Sequence, residues 1–180
     1  MLFDLLKSRR SERLYLQKEI EKEKVDIILK SALLSPSSKA SRPWDFIVVT
    51  NQDLLGKLAQ CKPTGAGFLS KAALGIVVIA NTQAGDMWIE DTSIAALSMQ
   101  LAAHSMGLGS CWIQVRGRFH TETIKAEDYV KELLGIPEQY AVECMLSIGY
   151  LAEQGKAPKD EGELFYERLH LNGFGNGYRI

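Results

Sequence analysis

Four short apolar runs along the chain have the length of β-strands. Their sequences are DFIVVT at 45–50, LGIVVIAN at 74–81, SCWIQV at 110–115 and VECMLSIGY at 142–150. Runs of this length that are bounded by polar or glycine-containing segments favour the extended conformation. The run at 74–81 is apolar throughout, which predicts a strand inside a sheet that is covered on both faces.

Between these runs, apolar residues recur at helical spacing in the segments 22–34, 51–60 and 122–135. The first segment ends in a polar SPSS loop, the second opens on the capping-type residue Asn51, and Gly135 ends the third. Helices that alternate with strands in this way predict a layered sandwich of the α/β or the α+β class.

A fourth helix is predicted over residues 92–106, TSIAALSMQLAAHSM. This segment contains no Asp, Glu, Lys or Arg and is apolar or small on nearly every face. The pattern is typical of a helix that is buried all round, and we expect Gly107 and Gly109 to end it. In so small a domain, a symmetric interface with a second copy would supply the missing cover, so a homodimer is expected.

The last part of the chain differs from the rest in composition. We expect one domain over residues 1–155, followed by a tail over 156–180 that is rich in glycine and charge and cannot form a second core. Leu164, Phe165 and Leu171 are nevertheless too apolar for a freely solvated segment. The tail is therefore expected to wrap over its own domain or over the dimer partner.

Composition and charge exclude several classes of protein. With 46% hydrophobic and 24% charged residues, the chain is neither collagen-like nor wholly disordered. A formal net charge of -1 gives no overall field toward nucleic acid or an anionic membrane surface, so neither is expected as a partner. The longest strongly apolar run, at 72–80, is far shorter than the ~20 residues of a membrane-spanning helix.

The termini and cysteines bear on location. The N-terminus fits neither a secretory signal nor a transit peptide, which favours a cytoplasmic protein. Cys61, Cys111 and Cys144 are odd in number and widely separated, so they predict neither a disulfide framework nor a zinc site. We expect reduced, mostly structural cysteines and no bound metal.

The first candidate for chemistry is KSRRSER at 7–13, in which four cations surround the hydroxyl of Ser11. Guanidinium groups donate paired, charge-assisted hydrogen bonds to phosphate, and a nearby hydroxyl adds a further donor. The segment therefore indicates a site for a phosphate monoester. Taken alone, it leaves open the alternative of a solvated basic turn after a short helix.

Two further segments suit an aromatic ligand. SPSSKASRPWDF at 35–46 offers hydroxyl and amide groups beside an aromatic side chain, although it also fits a helix C-terminal loop followed by a core Trp. GLGSCWI at 107–113 has glycines that allow close backbone approach, although it also fits a simple helix stop. The chain contains no G-x-G-x-x-G motif, no P-loop, no G-x-S-x-G elbow and no His pair at metal-binding spacing.

In order along the chain, four stretches resemble the FMN-dependent nitroreductase family. They are RRSERLY at 9–15, PSSKASRPWDFIVV at 36–49, EDTSIAALSMQLAAHSMGLGSCWI at 90–113 and LGIPEQYAVECMLSIGY at 134–150. The resemblance covers about residues 3–155. It implies a three-layer α/β/α sandwich, a homodimer with contacts through the long helix, and one FMN in each of two pockets at the subunit interface.

The resemblance also implies which residues bind FMN. It places Arg9, Arg10, Ser11 and Arg13 at the phosphate and ribityl end of FMN, with a further phosphate contact from Lys156 or Lys159. It places Pro36, Ser37 and Ser38 of the other subunit along the isoalloxazine ring. The backbone around Gly109, Ser110 and Trp112 would also approach this ring. Arg42 stands where family members often have Gln, which implies an added cation near the flavin.

The implied activity is ping-pong hydride transfer from NAD(P)H through FMN to a nitroaromatic, a quinone or a similar electron-poor small molecule. Because flavin carries this chemistry, no side chain is expected to act as a catalytic acid, base or nucleophile. The alternatives are a specialised flavoenzyme of the same fold, which consumes its flavin or dehalogenates an aromatic, and a non-catalytic FMN-binding protein.

Overall fold

The computed structural model describes residues 1–153 and 157–179. The helices are α1 (Leu2–Ser8), α2 (Lys22–Leu33), α3 (Gln52–Leu58), α4 (Trp88–Ser105) and α5 (Ala126–Leu134). The strands are β1 (Trp44–Val49), β2 (Leu74–Asn81), β3 (Leu108–Gln114) and β4 (Tyr140–Tyr150). The described residues form two compact units, one of residues 10–153 and one of residues 1–9 with 157–179. Within these ranges, no helix combines the length and the apolarity that crossing a membrane requires.

The four strands form one antiparallel sheet in the order β1-β2-β4-β3. β2 lies inside the sheet, paired with β1 on one side and β4 on the other. Its side chains alternate between two clusters of buried residues, with Ile76 and Val78 in one and Val77 and Ile79 in the other. The prediction of an apolar strand covered on both faces is confirmed.

Helices cover both faces of this sheet. Ile28 of α2 and Met99 of α4 belong to the cluster on one face. Leu55 of α3 and Val130 of α5 belong to the cluster on the other. The order of helix layer, sheet and helix layer confirms the three-layer α+β sandwich.

Two helix starts differ from the predicted ones. The predicted helix at 92–106 begins four residues earlier, because Glu90 and Asp91 lie in the first turn of α4, where acidic side chains interact favourably with the helix dipole. The helix predicted from residue 122 begins later, since the Thr121 hydroxyl accepts a hydrogen bond from the amide of Ile124, 3.1 Å away, and stabilises a turn there.

The end of α4 corrects another prediction. Gly107 follows the helix with a φ of +77°, in the left-handed region. Gly109, predicted to help end the helix, instead lies within β3. α4 is also not buried all round in a single chain, because Ile94 and Leu97 remain 41% and 43% exposed.

The second unit joins α1 to the described part of the tail. The Lys7 ammonium forms an ion pair with Glu161 at 2.7 Å, and the amide of Lys159 donates to the carbonyl of Lys7 at 3.0 Å. A β-bridge between His170 and Gly177 closes a small hairpin. None of the described residues in this unit is buried, so the unit has no core of its own.

Candidate functional site

Residues 10–16, here called the basic segment, run along the edge of the sheet. Ser11 forms a parallel β-bridge with Ser110, and the amide of Glu12 donates to the carbonyl of Ser110 at 3.0 Å. Farther along, the amide of Leu16 donates to the carbonyl of Tyr150 at 2.9 Å. The backbone of the segment is therefore attached both to the start of β3 and to the end of β4.

Two glycines of the sheet allow this close approach. A Cβ atom on Gly149 would lie 2.9 to 3.1 Å from three carbon atoms of Tyr15, and one on Gly109 would lie 3.0 Å from Cβ of Glu12. Both distances are too short for ordinary packing. The sequence indicated close backbone approach at Gly109, whereas it gave no separate signal for Gly149, which lies inside an apolar strand.

The buried side chain of Tyr15 holds the basic segment against the sheet. Its ring is buried, its hydroxyl donates to the carbonyl of Glu12, and that hydroxyl lies 2.7 Å from the hydroxyl of Ser147. Burial raises the pKa of Tyr15, so the phenol stays protonated and remains a donor. Sequence reasoning did not single out Tyr15, because its role depends on a contact with Gly149, 134 positions away in the chain.

The side chain of Arg13 is held close to Ser11. Its guanidinium carbon lies 5.6 Å from the centroid of the Phe68 ring, and Nη1 lies 3.4 Å from the carbonyl oxygen of Ser11. Arg13 is exposed and Arg10 is half-buried. The basic segment thus combines two guanidinium groups with a serine on a fixed backbone, a donor set that suits a phosphate dianion.

Three more cationic candidates, Arg9, Lys156 and Lys159, are not part of the basic segment. Arg9 and Lys159 are part of the second unit, where the amide of Arg9 donates to the carbonyl of Leu5 and ends α1. Lys156 lies outside the described residues. Their predicted contacts with phosphate stay predictions.

Loop 37–42 contains the candidates Ser37, Ser38 and Arg42 and follows the exposed Pro36. The Ser37 hydroxyl accepts a hydrogen bond from the amide of Arg42 at 3.0 Å, which closes the loop on itself. The carboxylate of Asp91 accepts from the amide of Ser38 at 2.9 Å. The loop is thus attached to the first turn of α4.

The aromatic residue after this loop serves the core. Trp44 is buried and belongs to the cluster that also contains Met99, so the alternative of a core Trp is correct for this side chain. Trp112 is half-buried, and its indole N–H donates to Oε1 of Gln114 at 2.8 Å. The hydroxyl of the buried Ser110 accepts from Gln100 at 3.3 Å. These contacts fix the side chains of β3, and the predicted contact of its backbone with the ring stays a prediction.

The three cysteines behave as structural residues. All three are buried thiols outside any disulfide, and burial raises the pKa of Cys61 to about 11 and also raises the pKa of Cys144 well above its usual value. A cavity of about 450 Å³ lies elsewhere, between residues 16–20 and 71–74, and none of the candidate residues lines it.

Known proteins similar to this chain indicate the family to which it belongs. The model of the Nitroreductase family matches residues 6–62 and 62–150. A protein of Archaeoglobus fulgidus named "Putative NADH dehydrogenase/NAD(P)H nitroreductase" is 39% identical over 167 residues, 91% of this chain and 88% of that protein.

Solved structures show the same fold. An FMN-dependent nitroreductase from Clostridium difficile R20291 superposes with a TM-score of 0.93 at 51% identity, over 96% of this chain and 99% of that chain. A Clostridium acetobutylicum protein titled "Putative NADH Oxidase" superposes with a TM-score of 0.86 at 28% identity, over 95% of this chain and 100% of that chain.

Proposed function

Because the chain belongs to the Nitroreductase family, a family of oxidoreductases, we propose that it binds FMN and transfers hydride from NAD(P)H to an electron-poor acceptor. The family match confirms the resemblance drawn from the four sequence stretches. The acceptor that we propose is a nitroaromatic, a quinone or a similar small molecule, reduced in a ping-pong mechanism. The single observation that carries the proposal is the fixed cationic segment at the glycine-lined edge of the sheet.

The donors of the basic segment fit the phosphate of FMN. Arg10 and Arg13 supply guanidinium groups, and Ser11 supplies a hydroxyl and an amide, while the bond between Glu12 and Ser110 fixes the backbone between them. Fixed donors bind an anion with little loss of side-chain entropy. We include Arg9 and one of the tail lysines, Lys156 or Lys159, as additional phosphate contacts.

The start of β3 and loop 37–42 suit the flavin ring. The missing side chain at Gly109 lets Glu12 and Leu151 pack directly against the start of β3, which brings the basic segment beside the backbone of Ser110. We propose that the backbone around Gly109, Ser110 and Trp112 approaches the ring. We propose that Pro36, Ser37 and Ser38 reach this ring from the second copy in a homodimer, and that the tail wraps over its own domain or over that copy.

Exposed apolar side chains support the dimer. Ile94 and Leu97 project from α4, and Leu33 and Leu34 at the end of α2 are 59% and 85% exposed. Apolar groups that share one surface favour contact with a partner, and α4 packs on α2. The same helix was predicted from sequence to need cover on more than one side.

FMN, when bound, supplies hydride acceptance and donation. The chain's own residues bind its phosphate, orient the ring and exclude water from it. We place no catalytic acid, base or nucleophile among the described residues, since protons can come from solvent. The cytoplasmic location is part of the same proposal, because cysteines that form no disulfide suit a reducing compartment.

The test is a visible spectrum of the purified protein, followed by anaerobic addition of NADH and then NADPH. We expect bound flavin that bleaches with at least one nucleotide and recovers its colour when a quinone or nitroaromatic is added. Flavin that stays oxidised would favour a non-catalytic binding protein, and reduced flavin that these acceptors do not reoxidise would favour a specialised flavoenzyme. A colourless protein that takes up no added FMN would refute the proposal.

The dimer has its own test in Leu97→Asp. A charge at the centre of the proposed interface should produce monomers in sedimentation and release FMN. Ile124→Asp is the matched control, because Ile124 is a similarly exposed apolar residue that lies outside α2 and α4. A Leu97→Asp protein that stays dimeric would place the interface elsewhere.

A further inference from the structure

Loop 37–42 holds an unusual backbone conformation. Lys39, Ala40 and Arg42 have φ angles of +52°, +55° and +47°, in the left-handed region that side chains with a Cβ atom disfavour. The loop contains no glycine to accommodate such angles. Three residues of this kind within four positions persist only when surrounding groups hold them there.

Hydrogen bonds within the loop, from the amide of Arg42 to the Ser37 hydroxyl and from the amide of Ala40 to the Ser37 carbonyl, contribute to this conformation. A buried carboxylate attaches the loop from outside. Asp91 is 4% exposed, and its Oδ1 accepts from the amide of Ser38 at 2.9 Å while its Oδ2 lies 3.4 Å from the hydroxyl of Ser41. These two bonds flank the left-handed pair Lys39 and Ala40. Among the described residues, no lysine or arginine forms an ion pair with Asp91.

The position of Asp91 explains how the charge is tolerated. It lies in the first turn of α4, where the partial positive charge of the helix N-terminus favours an anion. A buried carboxylate without a cation needs hydrogen-bond donors, and the loop supplies both an N–H and an O–H. The loop and the carboxylate therefore satisfy each other.

We propose that Asp91 is a positioning residue, whose carboxylate clamps loop 37–42 in the strained conformation that presents Ser37 and Ser38 to the flavin of the partner copy. This inference rests on the proposed function for the ligand, whereas the clamp itself rests on the geometry of the chain. Each carboxylate oxygen accepts one hydrogen bond from the loop, Oδ1 from the amide of Ser38 and Oδ2 from the hydroxyl of Ser41.

The clamp is tested without cofactor by hydrogen exchange at the amide of Ser38. Asp91→Ala should raise its exchange rate about tenfold or more, because this amide loses its acceptor, and Asp91→Asn should have a smaller effect. The matched control is Thr92→Val, since Thr92 is also buried in α4 but its hydroxyl bonds only to carbonyls of its own helix. Unchanged exchange in Asp91→Ala would refute the clamp.

The positioning role is tested by FMN affinity and by the rate of flavin reduction. Asp91→Ala should weaken FMN binding about tenfold, and adding Ala40→Gly should recover part of that loss, because glycine adopts the left-handed conformation without strain. If Asp91→Ala exchanges faster at Ser38 but matches Thr92→Val in FMN affinity and reduction, the positioning role is refuted. A wild-type protein that binds no FMN refutes the proposed function and the ligand, while the exchange result still decides the clamp.

Discussion

The basic segment and loop 37–42 each contain three of the candidate cofactor-binding residues, yet they are attached by different means. The basic segment is held by backbone hydrogen bonds to the sheet and by the close fit of Tyr15 against Gly149. The loop is held against its own backbone preferences by the carboxylate of Asp91. The first attachment depends on close packing and backbone hydrogen bonds, and the second depends on a buried carboxylate.

The difference shows that two parts of one candidate site can fail for separate reasons. A steric change should displace the basic segment and leave the loop intact, because the two share no anchoring residue among those described here. Loss of one carboxylate should release the loop and leave the basic segment in place. Variants that affect one region alone therefore reveal what each contributes to FMN binding.

The largest effect is expected from Gly149→Ala. The new methyl group would collide with the ring and Cβ of Tyr15, so we expect a loss of about 2 kcal/mol in unfolding free energy and a drop of tenfold or more in FMN affinity. Thermal unfolding and FMN titration measure the two. Gly56→Ala is the control, since a methyl group there meets nothing within 4 Å in α3 and should stabilise the helix. Equal behaviour of the two variants would contradict the steric attachment.

Arg13→Ala removes a guanidinium group that we propose binds the FMN phosphate, and it leaves the backbone contacts of the basic segment unchanged. Because a phosphate dianion would lose a charge-assisted donor, FMN affinity should fall by about 10- to 100-fold with little change in stability. Fluorescence titration measures the affinity, and Arg118→Ala removes a similarly exposed guanidinium from outside the basic segment as a control. If both variants bind FMN like the wild type, Arg13 is not in the phosphate site.

Arg116→Met tests whether disturbing a second buried carboxylate, Glu143, affects FMN affinity as the loss of Asp91 should. Glu143 is paired with Arg116 at 2.6 Å, so the variant leaves a buried charge without its cation and should lose about 2 kcal/mol of stability. FMN affinity should stay unchanged, because Glu143 holds no part of loop 37–42. Chemical denaturation measures the stability, and the double variant with Glu143→Met should recover part of it. A large loss of FMN affinity would show that disturbing any buried carboxylate affects the flavin.

The smallest effect concerns the exposed carboxyl of Glu21, beyond the basic segment. A hydrogen bond from the Tyr150 hydroxyl, helped by Lys24 and Lys18, lowers the pKa of Glu21 from 4.5 to about 2. A lowered folded-state pKa adds stability that is fully present above about pH 4.5 and is lost as the pH falls toward 2. Glu21→Gln should therefore be slightly less stable than wild type at pH 7 and equal to it near pH 2, as measured by urea unfolding. A difference that does not change with pH would mean that the carboxyl charge contributes nothing.

The strands and the layers could be predicted from the sequence because burial leaves a local pattern. The apolar run at 74–81 became the inner strand β2, and the charge-free stretch after Asp91 became α4. Boundaries that depend on side-chain contacts were harder to place. The hydroxyl of Thr121, for example, stabilises a turn where the pattern predicted helix.

The candidate site was predictable where chemistry is concentrated in one stretch. Four cations around Ser11 indicated a phosphate site, with a solvated basic turn as the alternative, and that site stays a prediction. Tyr15 and Gly149 carry no such signal, because their role is a contact between positions 134 residues apart in the chain. The role of Asp91 could not be predicted from the sequence either, since acidic residues are common near helix starts, where they interact with the helix dipole.

The pairing of α1 with the tail has a consequence for synthesis of the protein. Lys7 and Glu161 are separated by 154 positions, so α1 emerges from the ribosome long before its partner exists. At an elongation rate of about 5 to 20 residues per second, the interval is roughly 8 to 30 s. A chain released before residue 161 therefore never forms this ion pair.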